Sequence, residues 1–407
     1  MTNPCIAASG SPSRRRFLGC ATAGALAPLA TLSFAGSRRA GANRFVLVIL
    51  RGGLDGLSAV PAIGDPDFAA VRGPLAQFGA APRPLDTTFA LHPQLAELHA
   101  AYFRGEAAVI HAVGLPYRER SHFDAQQVLE SGGARPYELG TGWLARALGG
   151  GGKGVALSTA VPLVLRGEAT VDTWAPSVLP NPSADLVSRL RRMYADDPAL
   201  AKALDRARLL HLEGGMAAAR GDDGMASMSG PGVRPGSFRA LSQRAAEFLA
   251  ARNGPQVAVL ELGGWDTHAN QGNPNGALAG GLRVLDGGLA TLRTALAASG
   301  AWDRTVVVVA SEFGREVAIN GTLGTDHGSG GVAFVLGGAV RGGRVVADWP
   351  GLAKPQRFEG RDLRVTTDLR AVLKGVLADH LQIASKRLDG DVFPDSAAVR
   401  PLQLLRG

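Results

Sequence analysis

Acidic and imidazole side chains follow the ends of three apolar runs in this 407-residue sequence. The runs are RFVLVIL (44–50), QVAVLEL (256–262) and TVVVVAS (305–311), and a nearby glycine-rich loop, GTDHGSGG, adds two more such side chains. The residues concerned are Asp55, Asp266, His268, Glu312, Asp326 and His327. Carboxylate oxygens and neutral imidazole nitrogens bind Zn²⁺ or harder divalent ions, so this pattern predicts a metal site.

Each of these residues also has a structural interpretation. Asp266 is typical of an Asx turn after a strand, and Asp55 is typical of a turn or a helix cap. Glu312 has Arg315 within reach as an ion-pair partner. Because ligands in open α/β sheets bind beyond the carboxyl ends of the strands, the joint placement favours a shared metal site. In an extended Asp-x-His segment, Asp266 and His268 point to the same side.

A second candidate segment is RERSHFDAQ (118–126). Ser121 opens a predicted helix with Asp124 three residues later, which is typical of a capping box. A hydroxyl at a helix N-terminus also lies where backbone N–H groups favour phosphate or sulfate. Both interpretations stay open, and the second predicts a nucleophile at Ser121 with His122 and Arg120 beside it.

The other histidines have no carboxylate or second histidine at ligand spacing, so we expect structural or surface roles for them. They are His92, His99, His111, His211 and His380.

Short apolar runs alternate with amphipathic segments along the chain. AAVIHAV (107–113) and GVAFVLGG (331–338) join the three runs above as predicted buried strands. Helices are predicted at 93–105, 121–131, 239–254, 278–300 and 367–381. Strands without polar alternation are typical of a parallel sheet covered by helices, so we predict a three-layer αβα sandwich with a mainly parallel central sheet.

The segment 214–237 is rich in Gly, Met and Ser and is predicted to be a flexible surface loop. Strands of the same type resume after it. Residues 36–407 are therefore predicted to form a single domain.

The N-terminus carries the pattern SRRRFLG followed by a moderately apolar stretch and Ser33-Phe34-Ala35. This predicts a twin-arginine signal peptide at 1–35, periplasmic or secreted localisation, and the twin-arginine export machinery as a partner. The apolar stretch is short for a membrane anchor, and Cys20 lies too early for a lipoprotein signal. We expect no membrane span in the mature protein.

Cleavage after Ala35 would remove both cysteines, Cys5 and Cys20, and three arginines. The mature chain would then carry 40 basic and 35 acidic residues. A small excess spread along the chain argues against nucleic acid as a partner. Without cysteine, the mature protein has neither disulfide nor thiolate chemistry.

The motifs RGGLDGL, RSHFDAQ, GGWDTH, SEFGRE and GTDHG, behind a twin-arginine signal, resemble a widespread bacterial family of exported proteins labelled domain of unknown function 1501. That family resembles the alkaline phosphatase and sulfatase superfamily. The resemblance covers about residues 44–382 and implies an alkaline phosphatase-like fold.

By this resemblance, one or two divalent ions lie at the strand ends: Zn, or a harder ion such as Ca, Mg or Mn. Asp55 and Glu312 would bind the first ion, while Asp266, His268 and His327 would bind the second. Ser121 would stand at the nucleophile position. The motifs depart from the superfamily where Phe313 follows Glu312, because a histidine is expected there. His122 or Asp326 is then needed as a replacement ligand.

The favoured hypothesis is an exported metal-dependent hydrolase of small or polymeric phosphate or sulfate esters. In it, Arg120 or Arg315 neutralises charge that develops in the transition state. The alternative is a non-catalytic, metal-stabilised periplasmic binding or assembly protein, which the aromatic residue at a ligand position favours.

Overall fold

Five apolar runs form the centre of one large sheet in the computed structural model, which describes residues 42–176, 182–218 and 235–406. The strands are β1 (Arg44–Leu50), β2 (Arg83–Pro84), β3 (Ala90–Leu91), β4 (Ala107–Gly114), β5 (Lys153–Ala156), β6 (Thr170–Thr173), β7 (Val257–Leu262), β8 (Thr305–Ser311), β9 (Gly331–Leu336), β10 (Arg344–Val346) and β11 (Thr367–Asp368). The order in the large sheet is β10-β4-β9-β8-β1-β7-β5-β6, with β11 also paired to β4, while β2 and β3 form a separate antiparallel pair.

The direction of the strands decides which loops share an edge. β1 pairs in parallel with β7 and β8, and β5 pairs in parallel with β6 and β7. β9 runs antiparallel to both β8 and β4. The carboxyl ends of β1, β4, β7 and β8 therefore lie at one edge of the sheet, and the chain enters β9 at that same edge.

Helices cover both faces of the sheet. They are α1 (Gly56–Ala59), α2 (Phe68–Arg72), α3 (Ala96–Phe103), α4 (His122–Ser131), α5 (Trp143–Leu148), α6 (Ala184–Met193), α7 (Pro198–Ala218), α8 (Pro235–Ala250), α9 (Ala277–Ala298), α10 (Leu369–Leu381) and α11 (Ser385–Arg387). Among the described residues, no helix is both long and apolar enough to cross a membrane.

Alternate residues of each central strand pack into two different cores. In β1, Val46 and Val48 pack with residues of α3, α8 and α9, whereas Phe45, Leu47 and Ile49 pack with residues of α4, α5 and α10. All seven residues of β1 are buried. Burial on both faces explains why the strand sequence shows no polar alternation.

The predicted three-layer αβα class with a mainly parallel sheet is confirmed, and each predicted central strand and helix is present within a few residues. The short strands β5, β6, β10 and β11 gave no clear sequence pattern. The loop predicted at 214–237 loses residues at both ends to helices. Residues 214–218 belong to α7, and residues 235–237 belong to α8. Residues 219–234 and the predicted signal peptide at 1–35 lie outside the described residues.

Candidate metal centre

Three histidines and one aspartate meet at the edge of the sheet where β4, β7 and β8 end. His122 begins α4, which follows β4, and Asp266 and His268 follow β7. His327 precedes β9 and reaches the same edge because β9 is antiparallel. An isolated bridge between His327 and Arg315 holds this loop against the segment that follows β8.

The atoms that converge are three ring nitrogens and one carboxylate oxygen. His327 Nε2 lies 3.0 Å from His122 Nε2 and 2.9 Å from His268 Nε2. Asp266 Oδ1 lies 3.2 Å from His327 Nε2, 2.9 Å from His268 Nε2 and 3.5 Å from His122 Nε2. The ligand atoms of His122, Asp266 and His327 all lie within 4.8 Å of one another, as expected for residues that share a metal ion.

The opposite nitrogen of each ring faces an oxygen that only accepts hydrogen bonds. His122 Nδ1 lies 2.8 Å from Glu312 Oε1, and His268 Nδ1 lies 2.9 Å from Asp326 Oδ1. His327 Nδ1 lies 2.9 Å from the carbonyl oxygen of Arg120. In its neutral form, each ring therefore carries its proton on Nδ1 and turns the lone pair of Nε2 into the cluster.

This arrangement fits a bound cation. Arg315 already offsets the charge of Asp266, and a divalent ion would in addition accept the lone pairs of the Nε2 atoms. Imidazole nitrogens and a carboxylate oxygen, oriented by outer carboxylates, are the donors that Zn²⁺ and related ions take in proteins. The residues present thus fit a divalent ion.

The pKa shifts of two histidines follow from their surroundings. The hydrogen bond to Glu312 raises the pKa of His122 above its usual value, and the nearby charge of Asp266 adds to this effect. Burial lowers the pKa of His327, and the positive charges of His122 and Arg315 lower it further. The lowered pKa favours the neutral form of His327, in which the Nε2 lone pair faces the cluster.

Asp266 is kept ionised by Arg315. Burial alone raises the pKa of this carboxyl, but the hydrogen bond from Arg315 Nη1 to Oδ1, 2.7 Å long, holds it below the usual value. Arg315 is 1% exposed, and its other guanidinium nitrogens bind Thr325. The guanidinium thus acts on Asp266 from inside the protein.

Glu312 and Asp326 contact the rings of the cluster from outside. Glu312 is 1% exposed and accepts hydrogen bonds from the backbone of Gly52 (2.8 Å) and the side chain of Gln126 (3.2 Å) as well as from His122. Although burial raises the pKa of Glu312, these hydrogen bonds lower it overall. The hydrogen bond to His268 lowers the pKa of Asp326. Both carboxylates are therefore ionised partners of histidines.

The structure does not bring Asp55 into this group. Asp55 caps α1 by accepting hydrogen bonds from the backbone of Leu57 and Ser58. Its second oxygen is bound by Arg72, Gln271 and the Ser58 hydroxyl. Residues that follow β1 reach the correct edge of the sheet, but α1 begins at once and turns this carboxylate into the protein.

Ser121 and Arg120 stand beside the cluster in different roles. The Ser121 hydroxyl caps α4 by accepting a hydrogen bond from Asp124 N at 3.5 Å, so the capping interpretation holds. The Arg120 guanidinium is paired with Asp362 and Glu359, and only its carbonyl oxygen contacts the cluster. The expected charge-neutralising role of the Arg120 guanidinium thus has no support in these contacts.

Phe313 follows Glu312, at the position where the resemblance drawn from the sequence implies a histidine. Its ring centroid lies 4.7 Å from that of His122 and 5.1 Å from that of His327. A Cβ added at Gly53 would lie 2.6 Å from the Phe313 ring. Phe313 therefore packs beneath the imidazoles instead of donating to an ion.

Sequence reasoning missed a series of buried, hydrogen-bonded polar side chains behind the cluster. Gln271 Nε2 donates to Asp55 at 2.6 Å, and Gln271 Oε1 accepts from the Thr325 hydroxyl at 2.8 Å. Thr325 Oγ1 in turn accepts from Arg315 Nε at 3.2 Å, and Arg315 binds Asp266. Isolated Gln and Thr residues carry no motif, so no sequence signal identified this series.

Comparisons with known proteins give a family but no activity. No curated protein sequence matches the chain. The fold is similar to a structure titled Ps i-CgsB in complex with k-i-k-neocarrahexaose (12% identity, 89% of this chain, 78% of that chain, TM-score 0.44). It is also similar to a phosphonate monoester hydrolase of Agrobacterium radiobacter (14% identity, 84% of this chain, 74% of that chain, TM-score 0.42). A third similar structure is BT1596, a 2-O GAG sulfatase (12% identity, 89% of this chain, 73% of that chain, TM-score 0.37). A family profile described as protein of unknown function (DUF1501) matches residues 42–390, and the chain therefore belongs to that family.

Proposed function

We propose that this protein is an exported metal-dependent hydrolase of phosphate or sulfate esters. The observation that carries the proposal is the placement of the ligand atoms of His122, Asp266 and His327 within 4.8 Å of one another at the N-terminus of α4. His268 Nε2 lies beside them, 2.9 Å from both His327 Nε2 and Asp266 Oδ1. A divalent ion bound there would polarise an ester oxygen and offset its negative charge.

The chain supplies further features that suit an anionic substrate. α4 has ten residues, and the backbone N–H groups and dipole at its N-terminus attract phosphate or sulfate groups. The hydroxyl of Ser121 lies at that helix end, directly before a cluster histidine. We assign Ser121 as the nucleophile and Arg315 as the residue that keeps Asp266 ionised throughout the reaction.

The test of the hydrolase assignment is a substrate screen on protein loaded with a known metal. We expect turnover of at least one phosphate monoester, phosphate diester or sulfate ester, and loss of that turnover after chelation or in His268→Ala. Bound metal without turnover on all three ester classes would contradict the assignment.

Ser121→Ala tests the nucleophile. We expect turnover to be abolished while the metal content stays at the wild-type level. Loss of an N-cap hydroxyl also costs about 1 kcal/mol of stability. The matched control is Ser183→Ala, because Ser183 caps the exposed helix α6 in the same way, with Oγ 3.2 Å from Leu186 N. Retained activity in Ser121→Ala would exclude a covalent mechanism through this hydroxyl.

One observation favours a second function. Phe313 packs against His122 and His327 and offers no donor atom. A protein that uses the ion only for stability or for binding a partner would keep the cluster and lack turnover. In that case chelation lowers the melting temperature, and the substrate screen stays negative with metal bound.

The export route is part of the proposal and rests on the N-terminal sequence alone. Replacing Arg14 and Arg15 together by lysine should retain the precursor in the cytoplasm. Processing and export of that variant at the wild-type level would contradict the twin-arginine route.

A further inference from the structure

We propose that the protein binds a single divalent transition-metal ion at the imidazole cluster and that the guanidinium of Arg72 replaces a second ion at Asp55. This inference rests on the metal site of the proposed function, and it does not depend on ester hydrolysis. The superfamily resemblance implies up to two ions, so the number of ions distinguishes this chain from that pattern.

The carboxylate of Asp55 has no lone pair left for an ion. Oδ1 accepts hydrogen bonds from Leu57 N at 3.1 Å and Ser58 N at 3.3 Å. Oδ2 accepts from the Ser58 hydroxyl at 2.7 Å, from Gln271 Nε2 at 2.6 Å and from Arg72 Nη2. Five donors therefore enclose a carboxylate that is 1% exposed.

Arg72 supplies the positive charge that an ion would otherwise supply. Its side chain is 0% exposed, and Nη1 donates to the carbonyl oxygens of Val317 (3.0 Å) and Glu316 (3.4 Å). A guanidinium keeps its charge at all physiological pH values. This charge already neutralises the buried carboxylate of Asp55, so the site needs no divalent ion for charge balance.

The remaining candidate ligands of a second ion are also engaged. Glu312 Oε1 accepts from Gly52 N, His122 Nδ1 and Gln126 Nε2. The next residue, Phe313, is aromatic and packs against the cluster. Among the described residues, the one cluster whose His, Asp and Glu atoms lie close enough to share an ion is the cluster with His122, Asp266 and His327.

The donors of that cluster select the class of ion. Imidazole nitrogens favour Zn²⁺ and the later first-row ions, whereas Ca²⁺ and Mg²⁺ require oxygen ligands. The imidazoles of His122 and His327 and the carboxylate of Asp266 therefore favour Zn²⁺, Co²⁺ or a similar ion over the alkaline-earth ions. His268 Nε2, 2.9 Å from His327 Nε2, adds a further nitrogen beside them.

The test is a metal titration of the full mature protein after chelation. Zn²⁺ is added in excess, unbound ions are removed by gel filtration, and bound metal is measured by mass spectrometry. We expect one zinc per chain, not displaced by Mg²⁺ or Ca²⁺ at the same concentration. Two zinc ions per chain, or no bound zinc, would overturn the inference.

Variants locate the ion. His327→Ala should lose the zinc, while Asp55→Asn should keep it if the variant folds. The matched control is Asp286→Asn, because Asp286 is also a buried carboxylate that accepts backbone N–H groups, those of Glu97 and Leu98. If Asp55→Asn does not fold, the number of zinc ions bound per wild-type chain still tests the inference. One bound zinc without ester turnover would remove the proposed function and leave this inference standing.

Discussion

At the scale of single residues, the centre depends on the partner of each imidazole as much as on the imidazole itself. Glu312 binds the Nδ1 of His122, and Asp326 binds the Nδ1 of His268. An anionic partner at Nδ1 fixes the tautomer and makes Nε2 a better donor. The two acidic residues therefore orient the histidine rings instead of contacting the ion.

Glu312→Gln tests this division of roles. The variant keeps the size of the side chain but removes the charge that fixes the His122 ring. We expect zinc affinity to fall about 10- to 100-fold with the fold intact. Competition with a chromogenic chelator measures the affinity. The control is Glu168→Gln at an exposed position. Wild-type affinity in Glu312→Gln would show that Glu312 does not orient His122.

The sequence identified the candidate residues of the cluster. It did not show which of them face the cluster and which have structural roles elsewhere. Residue type and position after a strand selected Asp55 together with Asp266, since both follow a central strand. The difference between them arises from Arg72, which reaches Asp55, and from Arg315, which reaches Asp266. Those pairings depend on tertiary packing, and spacing along the chain carries no information about them.

At the scale of elements, the reversed strand β9 completes the cluster. The loop before β9 packs against the segment after β8 through backbone hydrogen bonds, including Gly328 N to Gly314 O at 2.9 Å and Glu316 N to Asp326 O at 2.8 Å. His327 lies in this loop. An all-parallel arrangement, which the apolar strand sequences equally permit, would bring the start of β9 to the opposite edge.

Gly328→Ala tests whether this close packing positions His327. A Cβ at Gly328 would lie 2.3 Å from the carbonyl carbon of Arg315, so the loop has to move. We expect a stability loss on the order of 2 kcal/mol and weaker zinc binding. Urea denaturation and zinc titration measure the two effects. Gly321→Ala is the control, because its added Cβ meets nothing within 4 Å. Equal behaviour of the two variants would contradict the positioning role.

At the scale of the whole molecule, the apolar pattern predicted the layers correctly, because strands buried on both faces need helices on both sides. β1 shows this directly, with Val46 facing one core and Leu47 facing the other. The order of strands and the reversal of β9 were not predictable, since pairing depends on connections that the pattern does not encode.

Burial of His111 in strand β4 makes the stability of the fold depend on pH. This imidazole is 0% exposed in β4, lies 3.0 Å from the Val60 carbonyl oxygen through Nε2, and accepts a hydrogen bond from Ala112 N at Nδ1. Burial lowers its pKa from 6.5 to about 4. The folded state therefore holds the neutral ring, and the unfolded chain binds the proton first.

Because the folded pKa is the lower one, the contribution of His111 is fully present above pH 6.5 and is lost as the pH falls towards 4. At about 1.4 kcal/mol per pH unit, the loss is about 3 kcal/mol. Urea denaturation of wild type and His111→Gln across this range measures it, and the variant should lose less stability on acidification. His99→Gln, a change at a histidine that is not buried, should keep the wild-type slope. An unchanged slope in His111→Gln would show that other groups cause the acid sensitivity.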